Sequence, residues 1–391
     1  MTAKTEFALL QSGFRPFFLL ALLFAPIEMM LWIISYLEGF SITSHYGNIS
    51  WHGHEMLFGY ALAVLTGFLL VAGKNWTGIQ TLQHRSLMFL AGLWVMARSL
   101  HFLPELSPSI LTFATELLFI LLAIAFIAAP LLQSRNRNSY IFIELLIILA
   151  IGNIMVDWSY LGLFPNTAET GMMLSLYAVL GLLIIINGRT LPHFIEKSFD
   201  MKLARTQYHQ TIETFAVGSI YLLMILEVLL PMDALIGLTA LVAAIANGIR
   251  LANWYHPALW RYPLLWVLLV GYGWIIVGLM LYAAASFGLI MESRGLHALT
   301  IGGIGITTAG MMVRVTLGHT GRELKADSLT TTAFILLNVS ALAYAIFHLL
   351  APTLGEKWLL IAGMSWVVAF GMLAWVYTPM LLFARVDGKP G

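Results

Sequence analysis

Long apolar segments follow one another along almost the whole chain. Each is about 20 residues long, the length an α-helix needs to cross the hydrocarbon core of a bilayer. We predict twelve spanning helices, at residues 16–37, 54–73, 86–103, 109–133, 139–161, 170–188, 211–231, 233–252, 263–289, 296–318, 328–350 and 356–384. The connections between them are short. The sequence therefore predicts an all-α integral membrane protein, a bundle that forms a single polytopic transmembrane domain over residues 1–391.

The composition excludes the main alternatives to a membrane bundle. Hydrophobic residues make up 60% of the chain and charged residues only 10%, whereas a soluble domain carries about 25% charged residues. The net charge of +1 argues against nucleic acid as a partner. Because the chain has no Cys, disulfides, iron–sulfur clusters and thiolate zinc sites are also excluded.

The basic residues predict the orientation of the bundle. With the N-terminus in the cytoplasm, nearly all of the 20 Lys and Arg residues fall in inner loops. Only Arg294 and Lys357 fall outside, and Arg98 lies within a span. A miscounted span would destroy this asymmetry, so we predict an N-in/C-in topology. The longest connection, 189–210, divides the spans six plus six, which leaves a weak internal repeat open.

The segment Trp51-His52-Gly53-His54-Glu55-Met56 begins the second span on the outer side. In a regular helix His52 and His54 point about 200° apart, so one metal ion takes both only if the segment is locally extended. Otherwise each serves a different ligand. Glu55 would share the face of His52 and suits either a carboxylate that supports a ligating histidine or a proton acceptor. His297 begins the tenth span on the same side. The alternative is that these are interfacial side chains.

A second candidate site lies at the inner side, at His193 and His319. Gly188 and Pro192 predict that the sixth span ends just before His193. His319 lies between Gly318 and Gly321, and glycines let a flat ligand approach closely. Three arginines at this depth suit the carboxylates of a bound ligand, or are simply what the positive-inside rule predicts: Arg189, Arg314 and Arg322.

The tenth span separates the two candidate sites. His297 and His319 lie at its opposite ends, about 33 Å apart at the helical rise, so they cannot share a metal ion. Gly303, Thr307 and Gly310 fall on one face of this span. Small residues in such a row favour close helix packing, and a groove for a planar cofactor is the alternative.

Ionisable residues inside spans are candidates for function, because they are costly in lipid. Glu28 lies in the middle of the first span and is a candidate proton carrier, or a protonated, hydrogen-bonded side chain. Arg98 and Glu116 lie at similar depth on the third and fourth spans, which favours an ion pair between them.

Six short segments, in order along the chain, match the motifs of a known protein family. They are Gly13-Phe14-Arg15-Pro16-Phe17-Phe18, Trp51 to Met56 with Phe58-Gly59, Gly67-Phe68-Leu69-Leu70, Asn75-Trp76-Thr77-Gly78, Gly188 to Phe194, and His297-Ala298-Leu299-Thr300 through Arg322. Together they make the chain resemble the NnrS family of bacterial membrane proteins. No motif appears after about residue 325.

The resemblance implies a haem- and copper-containing protein of the bacterial inner membrane. Such proteins belong to the nitric oxide response, and are associated with denitrification and protection from nitrosative stress. The resemblance implies haem b and copper as cofactors, with ligands among His52, His54, His193, His297 and His319, and does not say which residue holds which. The three arginines would then suit the haem propionates.

The sequence-based hypothesis is a protein that binds or reduces nitric oxide. An inner site would use His193 and His319, an outer site would use His52, His54 and His297, and Glu55 or Glu28 would relay protons. The expected partners are the lipid bilayer, nitric oxide and an unidentified electron donor. Two alternatives stay open: a transporter or sensor without redox chemistry, and an electron-transfer protein whose haem has two His ligands.

Overall fold

The structure is a computed structural model that describes residues 8–42, 46–103, 109–203 and 208–389. Twelve long helices account for most of the described residues: α1 Phe14–Glu38, α2 Asn48–Thr77, α3 His84–Leu100, α4 Ser109–Gln133, α5 Arg137–Tyr160, α6 Ala168–Phe199, α7 His209–Leu229, α8 Asp233–Trp254, α9 Pro263–Ser286, α10 Glu292–His319, α11 Ser328–Leu350 and α12 Pro352–Leu382. Eleven are long and apolar enough to cross a membrane, and α3 is shorter, with 17 residues.

The helices confirm the predicted all-α, polytopic membrane fold. One helix lies at each of the twelve predicted spans, and α3 lies at the predicted span 86–103. A 17-residue helix rises about 25 Å, which is slightly less than the hydrocarbon core of about 30 Å. The N-in/C-in orientation and the internal repeat stay predictions.

The prediction that the helix of the sixth span ends before His193 is wrong. Helix α6 continues through Pro192 to Phe199, so His193 lies inside the helix and not beyond its end. A proline inside a helix costs about 3 kcal/mol. Leu191 and Ile195, one turn apart, are both fully buried, so both pack tightly against neighbouring residues. Packing along this face therefore outweighs the local stop signal.

Helix α2 contains the His52 and His54 segment and is helical from Asn48 onward. From Glu55 to Ala61 it widens into a π-helical stretch. Such wide turns change which side chains share a face, and they are frequent at functional sites. The local extension that would let one ion take both histidines is therefore not present.

The chain divides into two compact units. The first unit comprises Met1–Leu176, Met312–Leu324 and Phe370–Gly391, and the second comprises Tyr177–Met311 and Lys325–Ala369. Helices α6, α10 and α12 each contribute residues to both units. The interpretation as one transmembrane domain stays a prediction.

In the first unit, Arg15 holds the end of α12. Its side chain is fully buried, and Nη1 donates to the carbonyls of Met380, Leu381 and Phe383 at 3.2, 3.0 and 2.8 Å. The last carbonyls of a helix have no partner within the helix and carry its negative dipole end. The buried guanidinium gives these carbonyls hydrogen-bond partners and places a positive charge at the negative end of the dipole. The Gly13 to Phe18 motif therefore has a structural role.

In the second unit, the glycines of α10 let it pack closely against α9. A Cβ atom at Gly303 would lie 2.8 Å from Ile275 Cγ1, and one at Gly310 would lie 2.8 Å from Val267 Cγ1. Neither position has room for a side chain. These contacts favour helix packing over a cofactor groove at this face.

Candidate metal centre

Four helices of the first unit bring ionisable side chains into one buried group, which we call the polar cluster. Each member is at most 5% exposed. The members come from α2, from α3 and the residue after it, from α4 and from α5: His54, Glu55, Arg98, His101, Glu116 and Asp157.

Arg98 links two of the carboxylates. Its Nη1 donates to Glu55 Oε1 at 2.7 Å, and its Nη2 lies 2.6 Å from Glu116 Oε2. The expected Arg98–Glu116 ion pair is therefore present, and Glu55 joins it. Asn153 donates to the other oxygen of Glu116 at 3.3 Å. Arg98 thus holds carboxylates from α2 and α4 in defined orientations.

The imidazoles of His54 and His101 lie among these carboxylates. His54 Nδ1 is 3.0 Å from Glu55 Oε1, and His101 Nε2 is 3.4 Å from the same oxygen. The other nitrogen of His54 lies 3.5 Å from Glu116 Oε1 and 3.9 Å from Asp157 Oδ1. Among the described residues, His54 Nε2 and both ring nitrogens of His101 make no hydrogen bond.

Buried nitrogens without hydrogen-bond partners are unusual and point to a missing ligand. One potential ligand atom from each of His54, Glu55 and His101 lies within 4.8 Å of the other two, and the same holds for His54, Glu116 and Asp157. Buried His and carboxylate groups of the first unit can therefore hold a metal ion.

Tyr46 closes one side of the cluster. Its hydroxyl donates to the Asp157 carboxylate, and its ring stacks on His54 with the centroids 4.8 Å apart. Neither Tyr46, Asp157 nor His101 was among the residues predicted as ligands. The one signal in the sequence is depth, because His101 and Asp157 fall near the same predicted face of the membrane as His54.

His52 faces away from the cluster. Its Nδ1 lies 2.6 Å from Glu28 Oε1, and its ring stacks on Trp32 at 4.9 Å. Glu28 is fully buried. Glu55 was expected to share the face of His52, but it contacts His54 and Arg98 instead. The two histidines of the motif therefore belong to two different groups of side chains.

The chain was compared with known proteins. Residues 8–385 match the family described as NnrS protein. The chain belongs to the NnrS family. The match continues about 60 residues past the last motif seen in the sequence, into α12. None of the curated proteins compared with the chain matches it. Membership in the NnrS family supports a membrane protein of the nitric oxide response.

The other outer candidate of this NnrS family member, His297, lies in the second unit. Its Nδ1 is 2.8 Å from the carbonyl oxygen of Ser293, and its ring stacks on Tyr344 at 3.9 Å. A ring nitrogen that donates to a backbone carbonyl fixes the tautomer and the orientation of the imidazole. The predicted outer set of His52, His54 and His297 stays a prediction.

The inner candidates also fall in different units. His193 and Arg189 are exposed on the second-unit part of α6. His319 ends α10 in the first unit, 5.6 Å from the Phe14 ring between centroids, and its carbonyl accepts a hydrogen bond from Arg385 at 2.8 Å. In the first unit Arg314 is buried and Arg322 half-buried. Burial lowers the pKa of Arg322. The joint role of His193 and His319 stays a prediction.

The polar cluster fits a metal ion better than it fits haem. Its donors are imidazole nitrogens and carboxylate oxygens, which suit a divalent transition metal. The rings of Tyr46 and Phe58 lie 4.8 and 4.9 Å from that of His54 between centroids. A macrocycle on His54 would have to displace them.

A groove of about 540 Å³ in the second unit is lined by Tyr255, Trp260 and other residues, none of them His.

Proposed function

We propose that this protein takes part in the nitric oxide response by binding nitric oxide at a metal ion in the polar cluster. One observation carries the proposal: two buried imidazoles with unbonded nitrogens lie against carboxylates in the membrane-spanning part of a NnrS family member. Ionisable groups inside a membrane protein are expensive and are kept where they do chemistry.

Copper is a metal that the resemblance implies for this protein. At the polar cluster, His54, His101 and the neighbouring carboxylates would hold a metal ion, which would supply a redox-active position at which nitric oxide binds. Haem b belongs to the same proposal, and a histidine outside the cluster would hold it: His193, His297 or His319. Arginine forks suit haem propionates, and Arg189, Arg314 and Arg322 are the candidates.

The residues around the metal position have distinct proposed roles. Arg98 orients the carboxylates of Glu55 and Glu116. If bound nitric oxide is reduced, protons are consumed, and the buried carboxylates of Glu55 and Glu28 are the proposed carriers. Denitrification and protection from nitrosative stress, in the inner membrane of a bacterium, are the settings we propose for this activity.

The test is a metal and nitric oxide titration of the full chain, purified in detergent without oxygen. We expect bound metal and a spectral change on adding nitric oxide, and we expect His101→Ala to lose the metal of the polar cluster and the part of the spectral change that this metal causes. His84→Ala is the matched control, because His84 is exposed at the start of the same helix. Equal metal content and equal response in all three proteins would refute the proposal.

The same titration separates the two alternative functions. A purified protein without colour or metal would favour a transporter or sensor. A haem spectrum that carbon monoxide and nitric oxide leave unchanged after reduction would favour electron transfer by a haem with two His ligands. In either case the polar cluster would be an ion-pair network.

A further inference from the structure

The polar cluster contains more negative than positive charge. Glu55, Glu116 and Asp157 are countered by a single arginine, Arg98. With neutral imidazoles, two negative charges remain without compensation in a buried site. Such charges are costly at low dielectric unless they are paired. A divalent cation would neutralise the cluster, and protonation of the histidines or of a carboxylate is the alternative.

We propose that the cation is a non-haem iron(II) ion ligated by His54, Glu55 and His101. The inference rests on the proposed function, because it identifies the metal at the same site. Two imidazoles and one carboxylate, with further positions open, are the ligand set of non-haem iron(II) sites that bind small gaseous molecules.

The distances in the cluster suit this set. Bonds of about 2.0–2.2 Å from a metal ion to nitrogen or oxygen put neighbouring ligand atoms about 3 Å apart. Glu55 Oε1 lies 3.0 Å from His54 Nδ1 and 3.4 Å from His101 Nε2. Small side-chain movements would therefore complete the site, and metal binding would displace the proton that His54 and Glu55 now share.

The second nitrogen of His54 faces the supporting carboxylates. Glu116 and Asp157 lie 3.5 and 3.9 Å from it. In metal sites the free N–H of a ligating histidine regularly donates to a carboxylate, which sets the tautomer and the ring orientation. His54 Nδ1 is thus directed at Glu55 of the proposed ligand set, and Nε2 is directed at Glu116 and Asp157. Arg98 holds Glu116 in place and Tyr46 holds Asp157.

The donor set favours iron(II) over copper(I), and the proposed function favours iron over zinc. Copper(I) prefers thiolate and thioether ligands, and the cluster contains no Cys or Met side chain among its members. Two imidazoles and one carboxylate also hold zinc at catalytic sites, but zinc has no redox chemistry and would not supply the redox-active position of the proposed function.

The experiment offers three metals to the full chain. The protein is purified in detergent without oxygen, stripped with a chelator and exposed to equal amounts of iron(II), copper(I) and zinc(II). Bound metal is measured by elemental analysis, and Mössbauer spectroscopy of ⁵⁷Fe separates non-haem iron from haem iron. We expect about one non-haem iron per chain in the wild type and in His84→Ala, as a single site requires.

Variants test the ligands and their support separately. We expect His101→Ala and Glu55→Gln to lose the non-haem iron. Asp157→Asn should retain it with an affinity lowered about 10–100-fold, as for other residues that support a ligating histidine. If His101→Ala does not fold, Glu55→Gln decides, because it keeps the size of the side chain. Each variant is checked for a single symmetrical peak in size-exclusion chromatography.

The outcomes distinguish this inference from the proposed function. Copper bound at the same residues would overturn the iron assignment and leave the proposed function standing. Zinc bound there in preference to iron would overturn the iron assignment, and the nitric oxide titration would then decide the function. No metal in the wild type, with unchanged variants, would overturn both and leave protonated histidines as the balancing charges.

Discussion

His52 and His54 are two residues apart, yet they contact different carboxylates. His52 Nδ1 lies 2.6 Å from Glu28 Oε1, and His54 Nδ1 lies 3.0 Å from Glu55 Oε1. Because α2 is helical here, successive residues turn by about 100° and the two rings diverge. Only His54 joins the polar cluster, so the motif divides into a ligand candidate and a separate, partly buried pair of His52 with Glu28.

We predict that His52→Ala lowers stability and leaves the cluster metal in place. Glu28 would stay buried without its partner, at a cost of about 1–3 kcal/mol. Unfolding of the detergent-solubilised protein measures the first effect and metal analysis the second. Glu28→Gln should cost less than His52→Ala, because an amide is easier to bury than an unpaired carboxylate. Loss of metal from His52→Ala would contradict the division of the motif.

Replacing Arg98 should be strongly destabilising. Arg98→Met would leave Glu55 and Glu116 without their shared guanidinium, and breaking a buried pair costs about 3–5 kcal/mol. Arg85→Met is the control, because Arg85 is exposed on the same helix. Thermal unfolding of both variants in the same detergent is the measurement. Equal midpoints for the two variants would show that the ion pairs contribute little.

Gly295 should not tolerate alanine. A Cβ atom there would lie 2.6 Å from the backbone nitrogen of Tyr282 and 2.7 Å from its Cα, and backbone atoms cannot rotate away. Overpacking of this kind costs about 1–3 kcal/mol. Gly218→Ala is the matched control, because its added Cβ meets no atom within 4 Å. That change should be neutral or stabilising by up to about 1 kcal/mol.

The N-in/C-in topology can be tested by labelling single cysteines, since the chain has no Cys of its own. Leu163→Cys, in the connection between α5 and α6, should react with an impermeant maleimide added to intact spheroplasts. Glu323→Cys, between α10 and α11, should react only after the membrane is opened. Both positions are exposed. The reverse pattern would refute the orientation derived from the basic residues.

The helices were predictable because their signal is local. A run of about 20 apolar residues is enough to indicate a span, and the bounds of α4 and α11 agree with the prediction at both ends. The error at α6 has a tertiary cause. Gly188 and Pro192 form a valid local stop signal, but the burial of Leu191 and Ile195 depends on neighbouring helices that no sequence window contains.

The candidate site was predictable only in part. His54 and Glu55 stand in one conspicuous segment, so the sequence alone identified them as candidates. His101, Glu116 and Asp157 come from three other parts of the chain, and none has a motif around it. Glu116 was predicted as a partner of Arg98, because opposite charges at similar depth in a membrane favour each other.

By itself the sequence determined the class of protein, the positions of the spans and the family motifs, since hydropathy and motifs are properties of consecutive residues. Only the tertiary structure decided which ionisable groups meet. Depth in the membrane limits the candidates, but the rotation of each helix about its axis selects among them. That rotation depends on side-chain packing between helices, and in α2 also on the π-helical turn that begins at Glu55.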